Sequence, residues 1–421
     1  MYVADTAPIH WAPPWDLPFD ERFARLVAGS PRAAYFYSVP DTSTFRYRAY
    51  NISLALRPPC SRASACWFTS ADFERIERVL DSCDVLVLCR NSLYDEKVAR
   101  IAALARARSR RILFDVDDLV FDPAYVHLLV NTLGVDAADP ETWNYWHAYV
   151  GRVGATFRLC DGALVTNTVL ARHATAWSGK PASVVPNFLN PEQEAVSEEV
   201  WRAKERTGWR RDGRTHIAYF SGSPSHDRDF DLVAGPVARL MDRNPSLVLR
   251  VVGFLSPHPE IARHAARTEV LPLQDFLNLQ REKGRVEISV VPLQENPFTE
   301  CKSELKWFEA AITGTLTLAS PTHAYRGAVE HGRTGWLVDA QGWEDTLAET
   351  IASLDALRDR TAPAAREQAL ARYGWRNQAA TIEAALFGDS RNPAPARRVG
   401  VSPPLAPAER RPAPPAPVAP G

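Results

Sequence analysis

Lys302, Lys306 and Glu309 have the residue types and the spacing to hold a phosphate and a sugar diol side by side. The stretch CKSELKWFEAAITG predicts a helix from about Ser303 to Thr313, ended by Gly314. At 100° per residue the three polar side chains fall within about 60° of one another, with Leu305, Phe308 and Ile312 opposite and facing a core. The free N–H groups of a helix N-terminus favour an anion, and lysine adds a compact charge suited to phosphate. A carboxylate one or two turns deeper accepts hydrogen bonds from paired hydroxyls, as the acidic residue of dinucleotide sites does for ribose. The same spacing also serves an exposed helix face with i,i+4 charges. Only six of the 49 Lys+Arg residues are lysine, so two lysines within five residues single this face out.

A second acidic group lies in FDVDDLVFD, where Asp115, Asp117, Asp118 and Asp122 follow an apolar run. Asp117 and Asp118 stand at a strand's C-terminal end, where α/β sheets bind ligands, and an aspartate there can take a proton from a hydroxyl. Helix capping is the competing use of such a cluster. Arg46 and Arg48 follow the first strand in TFRYRAYN and are candidates for an acceptor or a phosphate, or else cover aromatic rings. Arg106, Arg108, Arg110 and Arg111 form a basic cluster that suits an anionic lipid surface or a solvated helix end.

Two series of short apolar runs must position these groups. The first comprises 33–40, 65–70, 84–90, 111–117, 162–167 and 182–188; the second comprises 216–223, 247–254, 268–273, 286–293, 316–320 and 335–338. Amphipathic stretches separate them, which means parallel sheets covered on both faces. The polar stretch WRAKERTGWRRDGRTH interrupts the alternation and is expected to be a linker. The division expected is an N-terminal extension (1–30), a Rossmann-like domain (31–200), a linker (201–215), a second Rossmann-like domain (216–372), a helix crossing back (373–387) and a tail (388–421). The tail carries ten of the 33 prolines and several arginines, and is expected to be disordered.

Composition excludes several classes. The 421 residues have a net charge of −1, which speaks against bulk nucleic-acid binding. No apolar run is long enough to span a membrane, and the first 20 residues carry no signal-peptide pattern. The six cysteines show no zinc-like spacing and read as reduced, buried thiols of a cytoplasmic protein. GxGxxG, GxxxxGK[ST], GxSxG and HExxH are absent.

FEAAITGTLTLASPTHAYRGAVEHGRTGWLV resembles the signature of GT-B retaining glycosyltransferases of the group 1, or family 4, type. TSTFRYRAYNISLALR, DVLVLCRNSLYDEKVARI, ILFDVDDLVFDP and DGALVTNTVLARHA agree with the N-terminal half of such enzymes, so the resemblance covers about residues 33 to 387. It implies two facing Rossmann-like domains, a nucleoside-diphosphate sugar bound by the second, and an acceptor bound by the first. Glu309 matches the glutamate that holds the donor ribose. The family's second glutamate, eight residues earlier, is replaced by Cys301, with Glu300 and Glu304 nearby. The glycine-rich phosphate word corresponds to SGSPSHDR: Gly222 keeps the turn, Ser223 stands in the arginine's place and Arg228 in the lysine's, with His226 a further candidate. Lys302, Ser303, Glu304 and Tyr325 complete the expected nucleotide-sugar set. Lys306 and Arg228 are the expected diphosphate clamps, and Asp117 or Asp118 takes the place of the family's histidine facing the reacting sugar. DVDD also resembles the nucleophile word of haloacid-dehalogenase-type phosphohydrolases, but it lies too far into the chain.

The expectation is therefore hexosyl transfer with retention in cell-surface polysaccharide synthesis, with no metal and no cofactor. The acceptor is a glycan or a lipid-linked sugar, and the site of action is cytoplasmic, with peripheral membrane contact as an option. A GT-B sugar-nucleotide epimerase and a catalytically silent GT-B scaffold are the alternatives.

Overall fold

The structure, a computed structural model, describes residues 1–4, 6–90, 92–133, 135–222 and 227–388. Every expected apolar run forms a strand. The first series gives β1 (Arg32–Phe36), β2 (Ser64–Phe68), β3 (Val85–Cys89), β4 (Arg111–Val116), β5 (Gly162–Val165) and β6 (Ala182–Val184). The second gives β7 (Thr215–Ser221), β8 (Leu247–Gly253), β9 (Thr268–Leu271), β10 (Ile288–Val291), β11 (Leu316–Ala319) and β12 (Trp336–Leu337). The sheets run β2-β1-β3-β4-β5-β6 and β12-β11-β10-β7-β8-β9, and all strand pairs are parallel. Strands such as β3, VLVLC, are buried along their whole length because helices cover both sheet faces.

This strand order fixes where ligands can enter. In the first sheet the chain starts at β1, goes one way to β2, then returns to β3 on the other side. The second sheet repeats the device, with β7 between β8 and β10. Helices on either side of such a switch point diverge and leave a crevice at the strands' C-terminal ends. Asp117, Lys306 and Gly222 all lie near these ends.

The expected linker is helical over its first six residues and irregular from Thr207 to Arg214. Helix Pro191–Arg206 opens with a capping box between Asn190 and Gln193 and runs through the first part of the 201–215 stretch. Its polar sequence looked like a loop, but Val200, Trp201 and Ala203 are buried. The 1–30 segment is tied to both domains: Tyr2 forms an isolated bridge with Arg211, while Trp15 packs on Phe45 and Phe276. The C-terminal crossing is present, since Ser61 Oγ donates to Glu383 (2.6 Å) and Arg111 to the Leu386 carbonyl (3.1 Å) from helix Ala379–Phe387. The expected tail from Asp389 onward lies outside the described residues.

Candidate active site

The functional segment differs in detail from the helical wheel. The helix starts only at Leu305 and ends at Ala311, so Lys302 and Ser303 precede it. Gly314 ends the turn with φ +74°, and a Cβ there would lie 2.6 Å from the Trp209 ring. The later helix start takes Lys302 off the face that it was expected to share with Lys306 and Glu309.

Lys306 lies at the second switch point. Its ammonium sits 5.5 Å from the centre of the Tyr219 ring, on β7, and makes no ion pair among the described residues. Burial pulls its pKa down to about 7, with Lys283 and Lys302 adding to the effect and Asp229 and Glu309 opposing it. Gly222 follows β7 at the surface with open space around it. Arg228 is exposed, and its guanidinium reaches Asn131 Oδ1 in helix Val126–Thr132 of the first domain. Ser223 and His226 lie outside the described residues.

Lys302 faces the first domain instead. Its Nζ lies 3.9 Å from Asp118 Oδ1 and 4.8 Å from the centre of the Phe298 ring. Asp117 accepts from Thr44 Oγ1 and from Arg90 Nη1, both at 3.0 Å, and the same Nη1 donates to Asp118 at 2.7 Å. Burial raises the Asp117 carboxyl; Arg90 opposes the shift and the neighbouring Asp118 adds to it. Both aspartates stay partly exposed, so the group opens to the cleft. The capping expected as the alternative belongs to Asp122, which accepts from the Ala124 N–H at 2.9 Å.

Asn167 fastens the two halves of the site together. Its Nδ2 donates to the carbonyls of Cys301 (2.8 Å) and Lys302 (3.3 Å) while its Oδ1 caps helix Thr168–Ser178. Asn187 donates to Ser303 Oγ at 3.3 Å, and Thr168 Oγ1 meets His323 Nε2 at 2.8 Å. Sequence reasoning passed over Arg90 and Asn167. Arg90 directly follows β3, and a cation at the C-terminal end of a strand beside the switch point is a readable signal.

Five expected site residues, Arg46, Arg48, Glu304, Glu309 and Tyr325, are sealed inside the protein. Arg48 is fully buried and grips Asp115 through Nε (2.7 Å) and Nη2 (3.2 Å), while Nη1 donates to the Val185 carbonyl at 2.6 Å. Its donors are spent, so it differs from the cleft-facing arginine the sequence suggested. Glu304 accepts from the Tyr373 hydroxyl, and Tyr325 is buried beside the Lys306 backbone N–H. Glu309 is buried at the junction of both domains. Its carboxylate takes hydrogen bonds from Tyr47, from Gln193 (3.1 Å) and from Arg46 (3.3 Å), with Lys283 at 3.2 Å. Burial pushes this carboxyl up, but Lys283 and Arg46 outweigh it and hold it below its ordinary value. Arg46 therefore binds a carboxylate of the partner domain, and a carboxylate with four partners acts as a bolt between domains. Ribose binding would require it to give up some of them.

The arginine cluster is also spent on the chain itself. Arg108 pairs with Asp81 (2.6 Å) and Glu77 (2.8 Å), while Arg106, Arg110 and Arg111 donate to backbone carbonyls. All six cysteines are free, and burial pushes Cys66 and Cys301 up to about 12. Among the described residues, no three His, Cys, Asp or Glu side chains gather as a metal-binding group, and no helix is long and apolar enough to cross a membrane.

No family model matches the chain, and no curated protein matches it in sequence. Solved structures do match in shape. HepE from Anabaena, in complex with UDP and glucose, has a TM-score of 0.55 at 13% identity, covering 83% of this chain and 97% of that one. Sucrose-phosphate synthase from Thermosynechococcus elongatus gives 0.52 at 14% identity, covering 83% and 96%. An α,α-trehalose-phosphate synthase (UDP-forming) from Burkholderia vietnamiensis gives 0.51 at 11% identity, covering 87% and 98%. At such identities the likeness speaks for shape: the two six-stranded parallel sheets with their flanking helices are the GT-B fold.

Proposed function

We propose that the chain is a glycosyltransferase. It moves a hexose, with retention, from a nucleoside-diphosphate sugar to a glycan or lipid-linked acceptor in the building of cell-surface polysaccharide. The observation that carries this reading is Lys306: a half-buried ammonium without an ion-pair partner among the described residues, at the C-terminal end of β7. A cation in that state lacks only an anion, and a leaving diphosphate supplies one. Lys302 stands between this position and the aspartate pair, so it can serve the same charge from the other side. Arg228, tied to Asn131 at the mouth, would turn to the phosphate after releasing that bond.

In the transfer, the bond between the anomeric carbon and the β-phosphate oxygen breaks. The acceptor oxygen bonds to that carbon from the same face, and its proton leaves toward Asp117 or Asp118. The raised Asp117 carboxyl suits a proton acceptor, and Arg90 holds it in place. Stabilising the charge on the leaving phosphate is the largest expected term, with one donor worth roughly 10²–10³-fold. Neither a metal nor a cofactor enters this scheme, and a cytoplasmic site of action belongs to the same proposal.

A panel of nucleoside-diphosphate sugars in a thermal-shift assay tests it, followed by product detection with candidate acceptors. Uridine nucleotides come first, because HepE was solved with UDP and with UDP-glucose. At least one donor should raise the melting temperature, as a ligand of the native state must; a panel with no effect contradicts the reading. The engaged carboxylate of Glu309 favours one other reading, a silent binding protein of the same fold. A donor that stabilises the protein yet is never consumed would select it.

A further inference from the structure

Helix Pro140–Arg158 is divided in its burial. Its buried residues, Val150, Val153, Gly154, Thr156 and Phe157, all lie in the C-terminal half. The first half, ETWNYWHAY, buries none, yet it carries Trp143, Tyr145, Trp146 and Tyr149. Trp143, Trp146 and Tyr149 are partly buried against the core of the first domain while Tyr145 stands out from it, so the row is anchored on one side and offers its solvated edge as a contact surface. Tyr145 is 60% exposed. Three rings are continuous: Tyr145 meets Trp146 edge-on at 5.1 Å and Trp146 meets Tyr149 at 5.6 Å. The inner end of this row reaches the candidate site. The Tyr149 hydroxyl lies in the combined field of Arg90, Asp117 and Asp118. The loop after β3, which carries Arg90, is fastened to the same helix, with Tyr94 N–H bonded to the Arg152 carbonyl at 3.3 Å and Thr156 Oγ1 to the Ser92 carbonyl at 2.6 Å. The row therefore starts at the aspartate pair and leads outward along the helix.

We propose that Tyr145, Trp146 and Tyr149 form an outer acceptor subsite on which saccharide rings stack, so that the acceptor is a sugar chain longer than one unit. This rests on the glycosyltransferase reading of the Asp117 and Asp118 site. A pyranose presents an apolar C–H face and a rim of hydroxyls. Flat rings that carry their own hydroxyl or N–H match both. Charge separates this occupant from an anionic lipid surface. From residue 135 to 151 there is no Lys or Arg, whereas Asp136, Asp139 and Glu141 are present. A segment of that sign is repelled by acidic lipid headgroups.

The test uses the full chain on an array of mono- to hexasaccharides, followed by calorimetry with the best-bound oligosaccharide and its terminal monosaccharide. The oligosaccharide should bind at least tenfold more tightly than the monosaccharide. Tyr145→Ala should lose about three- to tenfold of the oligosaccharide affinity, as expected for one aromatic contact. Tyr145→Ala with Trp146→Ala should bring it down to the monosaccharide level. Trp146→Phe, which keeps a ring, should retain most of it and guards against a folding defect. Three results overturn the proposal: no oligosaccharide retained, equal affinity for both sugars, or wild-type affinity in the double variant. Co-sedimentation with phosphatidylglycerol vesicles that the double variant loses would assign the rings to a membrane instead, and also overturns it. The nucleotide thermal shift, run in parallel on the same variants, should stay unchanged. Its absence in the wild-type chain would overturn the donor reading, while oligosaccharide binding lost with the rings would leave the subsite standing.

Discussion

Two arginine–aspartate groups stand at the end of β4, two residues apart in sequence, and they do different things. Asp115 and Arg48 face each other with no solvent access, and burial pushes the Asp115 carboxyl up to about 6 against the pull of the guanidinium. Asp117 and Asp118 share one guanidinium, that of Arg90, and remain partly exposed toward Lys302. The first pair also fastens Arg48 to the Val185 carbonyl, so it joins the segment after β1 to the end of β6. The second keeps part of its surface in solvent. Residue types are the same in both; access to a ligand separates architecture from chemistry. Glu309 and Lys306 repeat the contrast in the other domain, one saturated and one open.

That contrast can be broken at its strongest point. Arg48→Ala leaves Asp115 buried without a partner and should cost about 3–5 kcal/mol of stability, read by denaturant unfolding. A loss below about 1 kcal/mol would mean that the pair is not sealed. Asp117→Asn should do the reverse, with transfer slowed by roughly 10²-fold or more and the melting temperature nearly unchanged. A smaller effect follows from the bolt between domains. Glu309→Gln should lower stability by about 1.5–3 kcal/mol, since it weakens charge-assisted bonds to Lys283 and Arg46. Nucleotide affinity measured by calorimetry on the same variant should change little. A large loss of affinity with intact stability would return Glu309 to the ribose. The mildest effect is on pH. Lys306 titrates near 7, so its charged form prevails below that value and fades above it. Diphosphate affinity should therefore fall several-fold as pH rises from 6 to 8, with a proton taken up on binding. Calorimetry in buffers of different ionisation heat reads both, and affinity that is flat across that range would count against Lys306 as the clamp.

The fold was legible because parallel strands buried on both faces are written as continuous apolar runs such as DVLVLC and EISVV. The candidate site was legible only in part. Lys306, Asp117 and Asp118 stand at strand or helix ends, where position alone suggests a ligand. The pairing of Arg48 with Asp115 and of Glu309 with Arg46 joins residues 67 and 263 positions apart, which no local pattern encodes. The helical wheel grouped Lys302 with Glu309 because it assumed helix through Ser303, whereas the helix starts at Leu305. Helix Pro191–Arg206 hid a buried stripe because that stripe is itself half polar: Gln193, Ser197 and Lys204 are buried beside Val200, Trp201 and Ala203.

The most direct test of the account is nucleotide binding and turnover in Lys306→Ala. The account predicts an unchanged melting temperature without ligand, loss of most of the stabilisation by the nucleoside diphosphate, and transfer slowed by roughly 10²–10³-fold. A variant that binds nucleotide and turns over like the parent would contradict it.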